Sequence, residues 1–296
     1  MKFSIILLLI LIPCSLFAVK VSGSITGEEK VLVYKLLDHI SKTTELITET
    51  KSSGAGEFSL EFEIDSVQQV QIEAGNIKRR LFVEPDAEYI VKQEAGEYGQ
   101  QLNIVSETGF GVNTYMKNVE DMTSKAANDL AMTANDYKVV GTNINELSEQ
   151  FGNSGNDYID RMVDYLLANF ELNFLLKKPG KDHIAKVDDF LAKHYYNKEL
   201  DWGNPYFFGT FRMAIDTRCN FQSNETQRPN CAPKNISGIK TIVAGIDNEL
   251  YRDVATLMLI EKAGDSSPLI KKLLIDYFGG KINNDELQVV IERMRG

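Results

Sequence analysis

The chain has 296 residues, 43% apolar and 25% charged, with a formal charge of −10. This composition argues against a disordered or fibrous chain, and the length leaves room for two domains. Without residues 1–18, whose only charge is Lys2, the remainder carries −11, an acidic balance that argues against counterion-driven binding to nucleic acid.

The N-terminus has the three-part layout of a secretory signal peptide: a positive start at Met1-Lys2, an apolar run from Ile5 to Ile12, and the small residue Ala18. Cleavage after Ala18 and export to the periplasm or outer envelope are the expectation. A membrane anchor is the rival, but the run falls short of the roughly 20 residues that span a bilayer. Leu11-Ile12-Pro13-Cys14 loosely resembles a lipobox with a lipid on Cys14, although proline before the cysteine fits that motif poorly. No later segment is long and apolar enough to cross a membrane, so no transmembrane segment is expected after cleavage.

The next ninety residues read as strands. Around Gly54-Ala55-Gly56, the segment Glu57–Ile64 alternates Phe58, Leu60, Phe62 and Ile64 with polar residues, as a half-buried strand does. Similar runs occur at 19–25, 31–36, 43–50, 67–73, 79–84, 88–93 and 101–105, divided by turn residues such as Gly75-Asn76 and Pro85-Asp86. About eight short strands with polar turns indicate an antiparallel β-sandwich over 19–108. His39 falls in a connection between strands and reads as a solvated histidine.

Beyond Gly109 the hydrophobic period becomes helical. Tyr115, Met116, Val119, Met122, Ala126 and Leu130 form one stripe, and 157–176 repeats the pattern. Further helices are expected around Ile184–Leu191, after Asn204-Pro205, after Ser267-Pro268 (Leu269, Leu273, Leu274, Tyr277, Phe278) and after Asn284 (Leu287, Val290, Ile291, Met294). The last of these apolar faces must pack on this chain or on something else. The fold class is therefore α+β, with the sandwich followed by an all-α helical array over 109–296. The change of period falls at Glu107–Gly111, expected to be an exposed polar connection open to proteolysis, as is the loop at 152–156.

Little in the chain spells out chemistry. Cys219 and Cys231 flank a polar loop; an even pair in an exported chain favours a disulfide, with two free thiols as the alternative. Neither cysteine has a histidine nearby, and the spacing is wrong for a Cys-x-x-Cys centre, so no metal or cofactor is expected. His183 and His194 are three helical turns apart, too far to share a metal. The patch Trp202, Tyr206, Phe207, Phe208 and Phe211 is dense enough to form a binding surface, with packing of its helix onto the sandwich as the competing explanation.

Several strings together, Val21-Ser22-Gly23-Ser24-Ile25, Val31-Leu32-Val33-Tyr34, Gly56-Glu57-Phe58-Ser59-Leu60, Leu81-Phe82-Val83-Glu84-Pro85-Asp86, Asn204-Pro205-Tyr206-Phe207 and Glu249–Ala255, resemble the N-terminal β-domain and helical region of thioredoxin-like thiol-disulfide reductases of the Bacteroidetes envelope (the TlpA/ResA type). The resemblance implies a thioredoxin domain with a Cys-x-x-Cys pair next in order, but the sequence stops at Gly296, so no catalytic residue carries over. The expected function is a non-catalytic interaction or accessory module of the cell envelope with a protein partner. The alternatives are a fragment of such a reductase and a small-ligand binder using the aromatic patch.

Overall fold

The computed structural model describes residues 18–96, 99–132, 137–177, 182–222 and 233–296; the N-terminal segment with Cys14, and Cys231, lie outside the described residues. The expected α+β class holds. Eight strands are described: β1 (Ala18–Ser24), β2 (Lys30–Leu36), β3 (Thr44–Lys51), β4 (Glu57–Glu63), β5 (Gln68–Ala74), β6 (Ile77–Val83), β7 (Glu88–Gly96) and β8 (Gly99–Glu107). In β4 the alternation works as the sequence implies, with Phe58, Leu60 and Phe62 buried and the glutamates between them exposed.

The strands make two four-stranded sheets, β4-β1-β7-β8 and β3-β2-β5-β6, with Val19, Val21, Val31, Val33, Ile72, Leu81 and Tyr89 in the core they share. One pairing departs from an antiparallel sandwich: β1 lies parallel to β7, Val21 opposite Tyr89. Parallel and antiparallel strands share a two-residue side-chain period, so alternation alone cannot tell them apart. The β7–β8 register slips at Ile90–Val91, leaving Val105 as the extra residue of a bulge on β8.

Nine helices follow among the described residues: α1 (Val112–Met132), α2 (Tyr137–Phe151), α3 (Asp157–Lys177), α4 (His183–His194), α5 (Pro205–Gln222), α6 (Ile236–Val243), α7 (Glu249–Ser266), α8 (Pro268–Phe278) and α9 (Asp285–Arg295). Their starts follow side-chain chemistry. Asn204 Oδ1 accepts from the Tyr206 and Phe207 N–H groups, and Asn235, Asn248, Ser267 and Asn284 cap α6 to α9 in the same way. The apolar face of α9 packs on this chain: Leu287, Val290, Ile291 and Met294 are all buried in the large helical core. Helix α8 corrects the expectation for its apolar set. It turns Leu274, Ile275 and Phe278 inward and leaves Leu269 and Leu273 exposed at 68% and 59%. No helix among the described residues is long and apolar enough to cross a membrane.

Strand and helix regions interlock at three places: the β2–β3 connection that holds both Asp38 and Ile40, strand β6, and the segment before α1. Ile40, from the β2–β3 connection, lies in the helical core, and Phe82 of β6 packs with Val112 and Met116 of α1. Asp38, whose side chain is fully buried, accepts from Ile40 N–H, Ser41 N–H, the Ser41 hydroxyl and Arg293 Nη1 of α9. The third place is the segment expected to be an open connection. Buried Glu84 accepts from the N–H groups of Phe110 (2.9 Å), Gly111 and Val112 (both 3.1 Å), while Glu107 accepts from Thr114 N–H at 2.7 Å and Asn113 Nδ2 at 2.8 Å. Two carboxylates thus satisfy orphan donors at the positive end of α1 and lock the joint that the change of period marked.

Candidate functional site

The residues singled out from sequence mostly prove structural. Phe207, Phe208 and Phe211 are fully buried, so the aromatic patch is not an open surface. They belong to a ring cluster with Tyr165, Tyr195 and Tyr251, where Phe207 and Tyr165 meet edge to face at 4.9 Å. The reason is helical geometry: residues 207, 208 and 211 share the inward side of α5. Phe208 also stacks on Trp202 at 5.5 Å and on His39 at 5.4 Å, so this helix does pack onto the strand region. His39 is accordingly a packed residue and not a solvated one. Burial, with the positive charge of Arg80, lowers its pKa to about 4 against the pull of Asp38. Trp202 and Tyr206 remain partly exposed, each hydrogen-bonded to a carboxylate, Glu286 and Glu120 respectively.

Cys219 is fully buried near the C-terminal end of α5 and is disulfide-bonded; Cys231, expected as its partner, lies outside the described residues. Of the two helical histidines, His183 is buried at the start of α4, and His194 meets Glu171 at 3.0 Å. That glutamate also takes Lys193 at 2.9 Å. Burial alone would raise its pKa, but the bonds from His194 and Lys193 prevail and hold it at about 2. This cluster borders a cleft of about 270 Å³ among α2, α3 and α4. Its ionised groups pair with one another. Among the described residues no three His, Cys, Asp or Glu side chains are grouped to hold a metal.

A groove of about 930 Å³ opens where β6, β8 and α1 meet, and no sequence motif pointed to it. It gathers residues from five separate stretches of chain. Arg79 and Arg80 come from β6, Val105 from the β8 bulge, and Lys117 from α1; Gln69 of β5 and Tyr206 of α5 complete the wall. Glu107 is committed to the start of α1 and Glu120 to the Tyr206 hydroxyl at 2.5 Å. Arg79, Arg80 and Lys117 make no ion pair with a described residue, and they share the groove lining with the carboxylates of Glu107, Glu120 and Asp121. Gln69 Oε1 is buried there without a hydrogen-bond donor. A buried acceptor left unmet costs about 1–3 kcal/mol. Val105, 59% exposed, adds an apolar contact. The β6 side of the groove, where Arg79 and Arg80 stand, is thus suited to holding an anionic group. The only trace of it in the sequence was the Arg79-Arg80 pair inside an otherwise ordinary strand.

No family model matches this chain, and no curated protein matches it.

Proposed function

We propose that this protein is an exported, non-catalytic interaction module of the bacterial cell envelope, which holds a protein partner in the β6–β8–α1 groove. The observation that carries this reading is the pair Arg79 and Arg80, unpaired by any described residue in this groove of an acidic chain. Adjacent guanidinium groups without an ion-pair partner recognise carboxylate-bearing partners, since each can hold a carboxylate by two hydrogen bonds and opposite charge fixes register. The resemblance to the non-catalytic half of a thiol-disulfide reductase belongs to the same proposal. Cys219 supports it: a buried, disulfide-bonded cysteine at the far end of its helix lacks the exposure and the helix N-terminus that make a thiolate nucleophilic.

The test combines two measurements. In an insulin-reduction assay with dithiothreitol the protein should add no turnover to the uncatalysed rate. In envelope preparations of the native host, a photo-crosslinker at Val105 should give a defined adduct that disappears in Arg79→Glu/Arg80→Glu. A crosslinker at Val289, an exposed position on α9, should not give it. Turnover abolished by Cys219→Ser, or the same adducts from both positions, would overturn the reading.

A further inference from the structure

The geometry points to the form of the partner: we infer that its bound segment is an extended strand carrying carboxylates, which adds to the free edge of β6. This rests on the groove being the partner site. Both β6 and β8 end their sheets, and both line the groove, so the sandwich is open along one side between two strand edges. Such edges are templates for another strand unless something covers them.

Among the described residues the cover extends over one residue only. Phe82 donates its N–H to Asn113 Oδ1 at 2.8 Å, and its carbonyl accepts from Asn113 Nδ2 at 2.7 Å. The amide of Asn113 therefore stands where the peptide group of a neighbouring strand would stand. Backbone groups alternate between the two edges of a strand, so those of Arg80 point the same way as those of Phe82, away from β5. No described residue bonds them. An incoming strand would continue the pairing where Asn113 leaves off, the mode by which extended peptides add to exposed sheet edges.

The side chains then choose the sequence. Successive residues of β6 face opposite sides, so Arg79 lies on the face of buried Leu81 and Arg80 on the face of Phe82. Carboxylates at neighbouring positions of the incoming strand would each meet one guanidinium, which binds a carboxylate in a two-pronged fashion. Val105 offers contact to an apolar residue beside them. Backbone pairing supplies affinity whatever the sequence, and the two arginines supply selectivity for acidic segments.

The probe is a fluorescein-labelled nonapeptide of glutamate pairs separated by valine and threonine, titrated against the full purified chain by anisotropy. One control peptide carries lysine for glutamate; another is N-methylated at alternate residues, which removes strand donors but keeps the charges. The acidic peptide should bind and slow amide exchange at Arg80. The N-methylated peptide, and the acidic peptide on Arg79→Gln/Arg80→Gln, should bind at least tenfold more weakly, and the lysine peptide should not bind. Thermal unfolding of the double variant checks its fold, and Val105→Glu, at an exposed position, gives a second, independent loss. Equal binding of the N-methylated peptide with unchanged exchange at Arg80 would overturn strand addition while leaving the groove as a charge-based site. Absence of acidic-peptide binding would overturn it too, and loss of the Val105 crosslink as well would remove the groove reading. A dimer by light scattering that dissociates on Arg80→Gln would assign the edge to a second copy of this chain and overturn it equally.

Discussion

Glu84 is the side chain on which the joint between strands and helices depends, and Glu84→Ala tests that directly. Its Oε2 accepts from Phe110 N–H and its Oε1 from both Gly111 and Val112, three donors at the start of α1 that have no partner inside the helix. Hydrogen bonds to a charged acceptor contribute roughly 1.5–3 kcal/mol each, and losing a capping side chain costs about 0.5–2 kcal/mol. The three bonds share one carboxylate and do not add. Phe110 is exposed, so water can replace its partner, whereas Val112 is fully buried and its donor would stay unmet. A cost of about 3 kcal/mol for Glu84→Ala follows, with favourable charge at the positive helix end lost in addition. Glu84→Gln should cost about half as much, because its carbonyl oxygen can keep the two bonds of Oε1 and only the Phe110 donor faces an amide N–H. Urea unfolding at pH 7, followed by far-ultraviolet circular dichroism, measures both. Limited proteolysis supplies the local readout: cleavage between Glu107 and Phe110 should be slow in the wild type and fast in the alanine variant. A loss below 0.5 kcal/mol for Glu84→Ala, or rapid wild-type cleavage at that joint, would refute the reasoning.

Two further outcomes follow from the other contacts between the two regions. Arg293→Ala removes the charged partner of Asp38, a carboxylate with no exposed surface; breaking such a pair should destabilise by about 3 kcal/mol in the same urea experiment, and Arg293→Lys should recover part of it. His39, held at about 4 by burial and by Arg80, takes up its proton more readily when unfolded, where its pKa is about 6.5. The unfolded chain therefore binds more protons between these values, so this contribution to stability is complete above pH 6.5 and is lost as the pH falls toward 4. His39→Gln should flatten the fall in stability over that window, and parallel pH profiles for variant and wild type would show that His39 does not cause it.

By itself the sequence determined most of the elements. The alternation in β4 and the helical stripes beginning at Tyr115 and at Asp157 depend on short-range periodicity, and the caps at Asn204, Ser267 and Asn284 on local hydrogen bonding; both are written in neighbouring residues. Helix α2 was missed because few of its residues are deeply buried, Val140, Leu147 and Phe151 among them, too sparse a stripe to stand out. What only the tertiary structure decided is which faces meet. Leu269 and Leu273 carry the same periodic signal as Leu274 and Phe278, yet α8 is rolled so that only the latter pair is covered, and roll is set by the neighbouring helices. His39 reads as a loop residue until Phe208, 169 positions later, stacks on it. The groove has the same origin. Arg79, Val105 and Lys117 become neighbours because two sheet edges and one helix converge, and no local pattern encodes the convergence of segments that far apart along the chain.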